Sequence, residues 1–378
     1  MRTNRVGALV AIGLALGVSA LAQEFSFKLQ AKQGQPTPFA QGDELFARAD
    51  GQVDVYRDGR LLAIVVDRDG ALDASFDASR PLYLVDAEGF PVYEVGPGRA
   101  LFLTTEAPAM VHLKKGLSRP APALGVSALA AGSRVLMTFH SGTVLKTSKT
   151  MAIFWGPQWT NASFAGDKIS GLDSFFAGYG GSNFAGTTTE YYDAGGTITR
   201  ASSYLGHSID TTSPPSSALS TSQAVAEACS ATGNNPDPLG VYFIFTSTGA
   251  GNVNYCAWHS WGACSNGKQV QVAYMPNIDG IAGCDPGDTW TTHSQGLAAV
   301  ANVTSHELAE AITDPRGRGW FDRSGAENGD KCAWAFVGPV TLSNGSQWKL
   351  QMEWSNAAYT AGTGYANLSG QKGCLQGQ

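Results

Sequence analysis

All six cysteines of this 378-residue chain lie between Cys229 and Cys374, and no other feature constrains its fold as strongly. Cross-links there would staple the C-terminal part and leave the rest to fold without covalent help. An even cysteine count in an exported chain reads as a disulfide framework whose connectivity the sequence leaves open. Cys332 with Cys374, and a local pair among Cys256, Cys264 and Cys284, are the expected links. A cysteine-ligated zinc is the weaker reading, because no C-x-x-C pair is present.

Export itself is read from the first residues. Arg2 and Arg5 precede an apolar run over 6–21, and Ala20-Leu21-Ala22 has the small-x-small form of a cleavage site. Residues 1–22 are therefore expected to be a cleaved signal peptide, and the mature protein to be secreted. No later stretch approaches the roughly 20 apolar residues of a membrane-spanning helix. A net charge of −6 without a basic stripe argues against nucleic acid as a partner.

Composition changes near residue 118. Residues 23–116 hold 14 acidic and 10 basic side chains, whereas only 29 of the 259 residues from Pro120 onward are charged. The change predicts a boundary, with a Pro/Ala/Gly-rich linker over 118–133. In 23–117, VDVY and LLAIVV are punctuated by Asp58-Gly59, Asp69-Gly70 and Glu88-Gly89, which predicts a small all-β accessory or propeptide-like domain. His112, beside Lys114 and Lys115, reads as a surface residue.

The part from 134 to 378 mixes elements. Strands are expected at RVLMTF, TMAIFWG, GVYFIFTST and VQVAYM, with a hairpin turning at Asn344-Gly345. Helices are expected over 163–178, 217–230 and 294–313. The predicted class is α+β. Asn161, Asn302, Asn344 and Asn367 fit the glycosylation pattern.

The third helix carries the chemistry. At about 100° per residue, Leu297, Val300, Ala301, Leu308, Ala311 and Ile312 share one arc, and His306, Glu310 and Ala299 the opposite one. His306 and Glu310, at i and i+4, project side by side. Between Gln269 and Pro315 there is no Lys or Arg, yet there are six carboxylates: Asp279, Asp285, Asp288, Glu307, Glu310 and Asp314. A bound cation would relieve that repulsion.

His306-Glu307-x-x-Glu310 is one letter from the zinc-peptidase signature, so a zincin-like mixed sheet with an active-site helix is expected. Such a site needs three protein ligands, an open position for water and a carboxylate base. His306 and Glu310 supply two ligands, and Glu307 is placed as the base. Asp330, in GAENGDKC, is the first expectation for the third ligand, then Glu327, with Asp314 as a further alternative. His259 and His293 are candidates for stabilising a tetrahedral intermediate or contacting substrate, or else are ordinary buried imidazoles. One imidazole and two carboxylates form a harder donor set than two imidazoles, so Ca²⁺ or Mn²⁺ competes with Zn²⁺.

AIFWGPQW, GLDSFFAGYGGS with TTTEYYDAGG, LGVYFIFTSTG, NYCAWHS and HELAEAITDPRGRGWFD together resemble the exordium, or phosphate-induced, protein family over most of 134–378. Members are secreted, and the plant ones are cell-wall or apoplast proteins linked to growth. Plant members have Thr-Asn-Pro where this chain has Thr313-Asp314-Pro315. They lack the preceding His-Glu-x-x-Glu and have a small residue where this chain has Asp330. The chain is more similar to the bacterial branch, with its zincin-like helix, and that pattern favours Asp330 as the third ligand.

The expected function is that of a secreted metal-dependent hydrolase, a zinc metallopeptidase acting on a peptide or protein substrate. The alternative is a non-enzymatic extracellular protein binding cell-wall polymer, with a structural cation or none. Trp155, Trp159, Tyr191 and Tyr192 would be its sugar-stacking surface, although aromatic residues are more often core.

Overall fold

A computed structural model describes residues 107, 109–117, 135–322 and 325–377, and, before residue 107, six strands. The expected signal peptide (1–22) and linker (118–133) lie outside the described residues. The chain divides into two compact units, residues 1–108 with 121–129, and 109–120 with 130–378.

In the first unit, Asp43–Ala47, Val53–Arg57, Arg60–Val65 and Leu103–Thr104 form one sheet, and Leu82–Val85 pairs antiparallel with Pro91–Val95. Arg57 pairs with Arg60, and the expected turn at Asp58-Gly59 lies outside the described residues.

The second unit is α+β around a mixed six-stranded sheet. Its strands are β1 (Met110–Leu113), β2 (Ser148–Trp155), β3 (Ser202–Asp210), β4 (Gly240–Thr246), β5 (Tyr255–Ala263) and β6 (Gln269–Met275), in the order β3-β2-β4-β6-β5-β1. The first four in that order run parallel; β5 is antiparallel to β6, and β1 to β5. All seven residues of β4 are buried, as a central strand covered on both faces requires.

Alternation along the strands builds two cores. Val241, Phe243, Phe245, Ala273 and Met275 pack with Leu297, Val300 and Leu308 of helix α3 (Gln295–Thr313). Tyr242, Ile244, Val272 and Tyr274 face the other way, onto Ala224, Val225 and Ala228 of α2 (Thr221–Ala231). The helix expected over 163–178 is interrupted: Ala162–Ala165 forms one turn, Gly166 takes φ +55°, and α1 runs over Lys168–Tyr179. A Cβ on Gly171 would stand 2.3 Å from Leu297 Cδ2, so α1 approaches α3 as closely as only glycine permits.

The three disulfides are Cys229–Cys264, Cys256–Cys284 and Cys332–Cys374. Among the described residues of the RVLMTF segment, Thr138–Phe139 is the strand, paired with Trp320–Phe321. The hairpin at Asn344-Gly345 forms between Val340–Thr341 and Gln347–Trp348. No helix among the described residues is long and apolar enough to cross a membrane.

Two sequence expectations are overturned here. His112 is fully buried: it lies on β1 opposite Ala257 of β5 and faces α3 rather than solvent. Asn302 is buried within α3, where its Oδ1 accepts from the Gln351 backbone N–H at 2.9 Å, so the folded chain cannot present it for glycosylation.

Candidate metal centre

Helix α3 starts where Ser294 Oγ accepts from Leu297 N at 3.0 Å, and stops at Asp314, whose successor is a proline. Every residue from Leu297 to Thr313 is buried. The two arcs read from the sequence are thus both enclosed: one packs on the sheet, and the one carrying His306 and Glu310 faces a second set of polar side chains.

Those side chains come from two places. The turn after Glu327 and the short helix α4 (Asn328–Lys331) bring Asp330 against α3: the Asp330 backbone N–H donates to Glu310 Oε1 at 2.9 Å, and Asp330 Oδ1 lies 3.9 Å from His306 Nε2. His306 Nε2 is 3.0 Å from Glu310 Oε1. From the sheet, β5 delivers His259. Its Nδ1 is 3.0 Å from Glu307 Oε2 and 3.7 Å from Glu310 Oε2, and its Nε2 is 3.7 Å from Glu327 Oε1.

Three sets of donor atoms each lie within 4.8 Å of one another: His306, Glu310 and Asp330; His259, Glu310 and Glu327; His112, His306 and Glu307. Two ligands about 2.1 Å from a shared tetrahedral ion stand about 3.4 Å apart, so the 3.0 and 3.9 Å separations about His306 suit a cation.

The surroundings hold these groups in place. A Cβ on Gly329 would stand 2.7 Å from His306 Nδ1, so the loop packs onto the imidazole at a distance that excludes any larger residue. Gln351 presents its amide to the same nitrogen and also donates to Gly329 O at 3.3 Å. His112 stacks on His306, and Trp334 packs behind it. Lys331 turns away, bonded to Asp322 at 2.7 Å and lying over Trp354. Glu353 is fully buried, and neither carboxyl oxygen has a hydrogen-bond partner among the described residues. Burial first, then the nearby Glu310 and Asp330, pushes its carboxyl well above the usual range.

The remaining candidates lie apart. Asp314 caps the helix C-terminus, its Oδ1 accepting from Gly319 N at 2.6 Å. His293 stacks on Trp348 and bonds Gln347 O at 3.0 Å. Sequence reasoning missed His112 and Gln351, and it ranked His259 below the residues it sits among. Reading YCAWHSW as a strand would have signalled His259, because alternation sets Ala257 and His259 on one face.

No family model, no curated protein and no solved structure matches this chain.

Proposed function

We propose that this chain is an exported, metal-dependent peptidase of zincin-like fold, similar to the bacterial branch of the exordium family, with zinc held by His306, Glu310 and Asp330. One observation carries the reading. Asp330, 20 residues beyond Glu310, folds back so that its carboxylate joins the His306–Glu310 pair in a buried cluster.

Zinc bound there would polarise a peptide carbonyl and make water a better nucleophile at neutral pH. Glu307 is the carboxylate placed to take a proton from that water. The His259 imidazole holds one of its oxygens at 3.0 Å and so fixes the direction of the other. Three disulfides and the absence of a spanning helix among the described residues support an extracellular setting.

Strand β1 belongs to the second compact unit. That strand covers the outer edge of β5 and sets His112 on His306. A peptide approaching along β5 would meet this strand first. Of the four aromatics of the wall-binding alternative, Trp159 and Tyr191 are buried in the core, Trp155 is half-buried and Tyr192 is exposed, so two of the four are withdrawn from any sugar-stacking surface.

The test is hydrolysis of an unfolded protein by wild type and by Glu307→Gln, with metal content measured by plasma mass spectrometry in both and in His306→Ala. The expected result is zinc in wild type and Glu307→Gln, none in His306→Ala, and turnover reduced at least about 100-fold in both variants. Undiminished turnover by a metal-loaded Glu307→Gln protein would sink the mechanism.

A further inference from the structure

We propose that Gln351 is a positioning residue for His306: its side-chain amide turns over when a metal ion binds, and the Trp334 backbone moves with it. The inference rests on the reading of His306 as a metal ligand through Nε2, the nitrogen beside Glu310 and Asp330.

The direction of the amide comes first. Gln351 is fully buried. Its Nε2 donates to Gly329 O at 3.3 Å, and its Oε1 accepts from the Trp334 backbone N–H at 3.3 Å. A carbonyl on one side and an N–H on the other select one orientation of a planar amide. Turned over, it would set oxygen against oxygen and N–H against N–H. The Gln351 backbone is held as well, its N–H donating at 2.9 Å to Oδ1 of Asn302, one helical turn before His306.

That orientation dictates the tautomer of His306. The amide nitrogen meets His306 Nδ1, and an amide N–H can only donate, so Nδ1 accepts. A neutral imidazole then carries its single proton on Nε2. Nε2 lies 3.0 Å from Glu310 Oε1, a carboxylate oxygen suited to face an N–H.

Ligation through Nε2 requires the opposite arrangement. The metal takes the Nε2 lone pair, so one proton leaves Nε2, one joins Nδ1, and the ring stays neutral. The new Nδ1–H needs an acceptor, as the second nitrogen of a ligating imidazole generally does. Within the amide Oε1 alone can accept, so the amide turns. Oε1 then stands against Gly329 O, and the NH2 group against the Trp334 N–H. Gly329 packs on the His306 ring and precedes Asp330, which fixes it in the site. Trp334 is the residue with reason to move: its φ is +60°, a left-handed conformation that large side chains rarely adopt. Its ring packs on His112, and its Nε1 donates to Leu113 O at 3.0 Å, so the movement reaches β1.

The test is nuclear magnetic resonance on the nitrogen-15-labelled full chain, stripped of metal and then titrated with Zn²⁺. Before zinc, His306 should carry its proton on Nε2. After zinc, it should carry it on Nδ1, and the Trp334 amide signal should be displaced. In Gln351→Glu an oxygen faces both His306 Nδ1 and the Trp334 N–H without turning. That variant should bind zinc about 10-fold more tightly, and zinc should no longer displace its Trp334 amide signal. Zinc binding to a His306 already protonated on Nδ1, or without displacing the Trp334 signal in wild type, would overturn the proposal and leave the metal site standing. So would a Gln351→Glu protein whose Trp334 signal responds as wild type does. No zinc binding would overturn both. The wild-type signals decide the matter even where the variant fails to fold.

Discussion

His112 lies face to face with His306, their ring centroids 3.7 Å apart and their planes 13° from parallel. One ring belongs to the outermost strand of the sheet and the other to the central turns of α3, so the strand's pairing with β5 and the order of the candidate site are coupled. His112→Ala leaves a hole against both His306 and Trp334. It should cost about 2–4 kcal/mol, the range for truncating a large buried side chain, and should speed the loss of bound metal to a chelator. Thermal melting and the rate of zinc transfer to a coloured chelator check the two parts separately. A lower melting temperature with unchanged zinc release would reduce His112 to a packing residue.

Gly329 sets how closely the ligand-bearing loop approaches the helix. With a Cβ 2.7 Å from His306 Nδ1, Gly329→Ala forces either the ring or the loop to move by several tenths of an ångström. Either displacement separates His306 from Asp330. Zinc affinity should fall about 10- to 100-fold, as it does when residues supporting a ligand are disturbed. Competition titration against a chelator of known affinity measures this. An unchanged affinity would show that the loop accommodates the methyl group without moving Asp330.

What the sequence made legible was local. His306 and Glu310 are one helical turn apart, so helical period alone sets them side by side. Asn344-Gly345 carries its turn preference in adjacent letters. His259 reaches Glu307 across 48 positions, through the register of β5 and its packing on α3, and nothing adjacent to His259 encodes that meeting. His112 is further still from His306 in sequence, and two neighbouring lysines make it resemble a surface residue. Lys115, past the end of the strand, is exposed and Lys114 is half-buried, whereas His112 sits within the strand and points at the helix. Asp314 shows the converse. It is close to the ligands in sequence, but the chain leaves the helix at that residue and its carboxylate turns to Gly319.

The Cys332–Cys374 link should matter to the site as well as to stability. Cys332 follows α4 directly, and Cys374 lies in the strand Lys372–Leu375, which pairs with Glu353–Trp354. The disulfide therefore ties the Asp330 turn to the strand carrying Glu353. Closing a loop of 42 residues is worth about 4 kcal/mol in the chain-entropy account. The double variant Cys332→Ser, Cys374→Ser should melt lower and bind zinc more weakly. A lower melting temperature with wild-type zinc affinity would show that α4 holds Asp330 without the link.

Glu227 on α2 provides a pH test remote from the candidate metal centre. Burial, and then the Asp210 carboxylate beside it, pushes its carboxyl up to about 7 from the ordinary 4.5. The folded state therefore holds this proton more tightly than the unfolded chain does. Its favourable contribution is complete below pH 4.5 and disappears as pH rises through about 7, beyond which a buried charge remains. Glu227→Gln keeps the shape and removes the charge. It should raise the melting temperature by about 2–4 °C at pH 8, the shift that about 1 kcal/mol produces in a domain of this size, and change it little at pH 4. Melting curves of the two proteins across pH 4–8 should therefore diverge upward from about pH 5. Parallel curves would mean that Glu227 is ionised throughout and that its side chain reaches water in the folded protein.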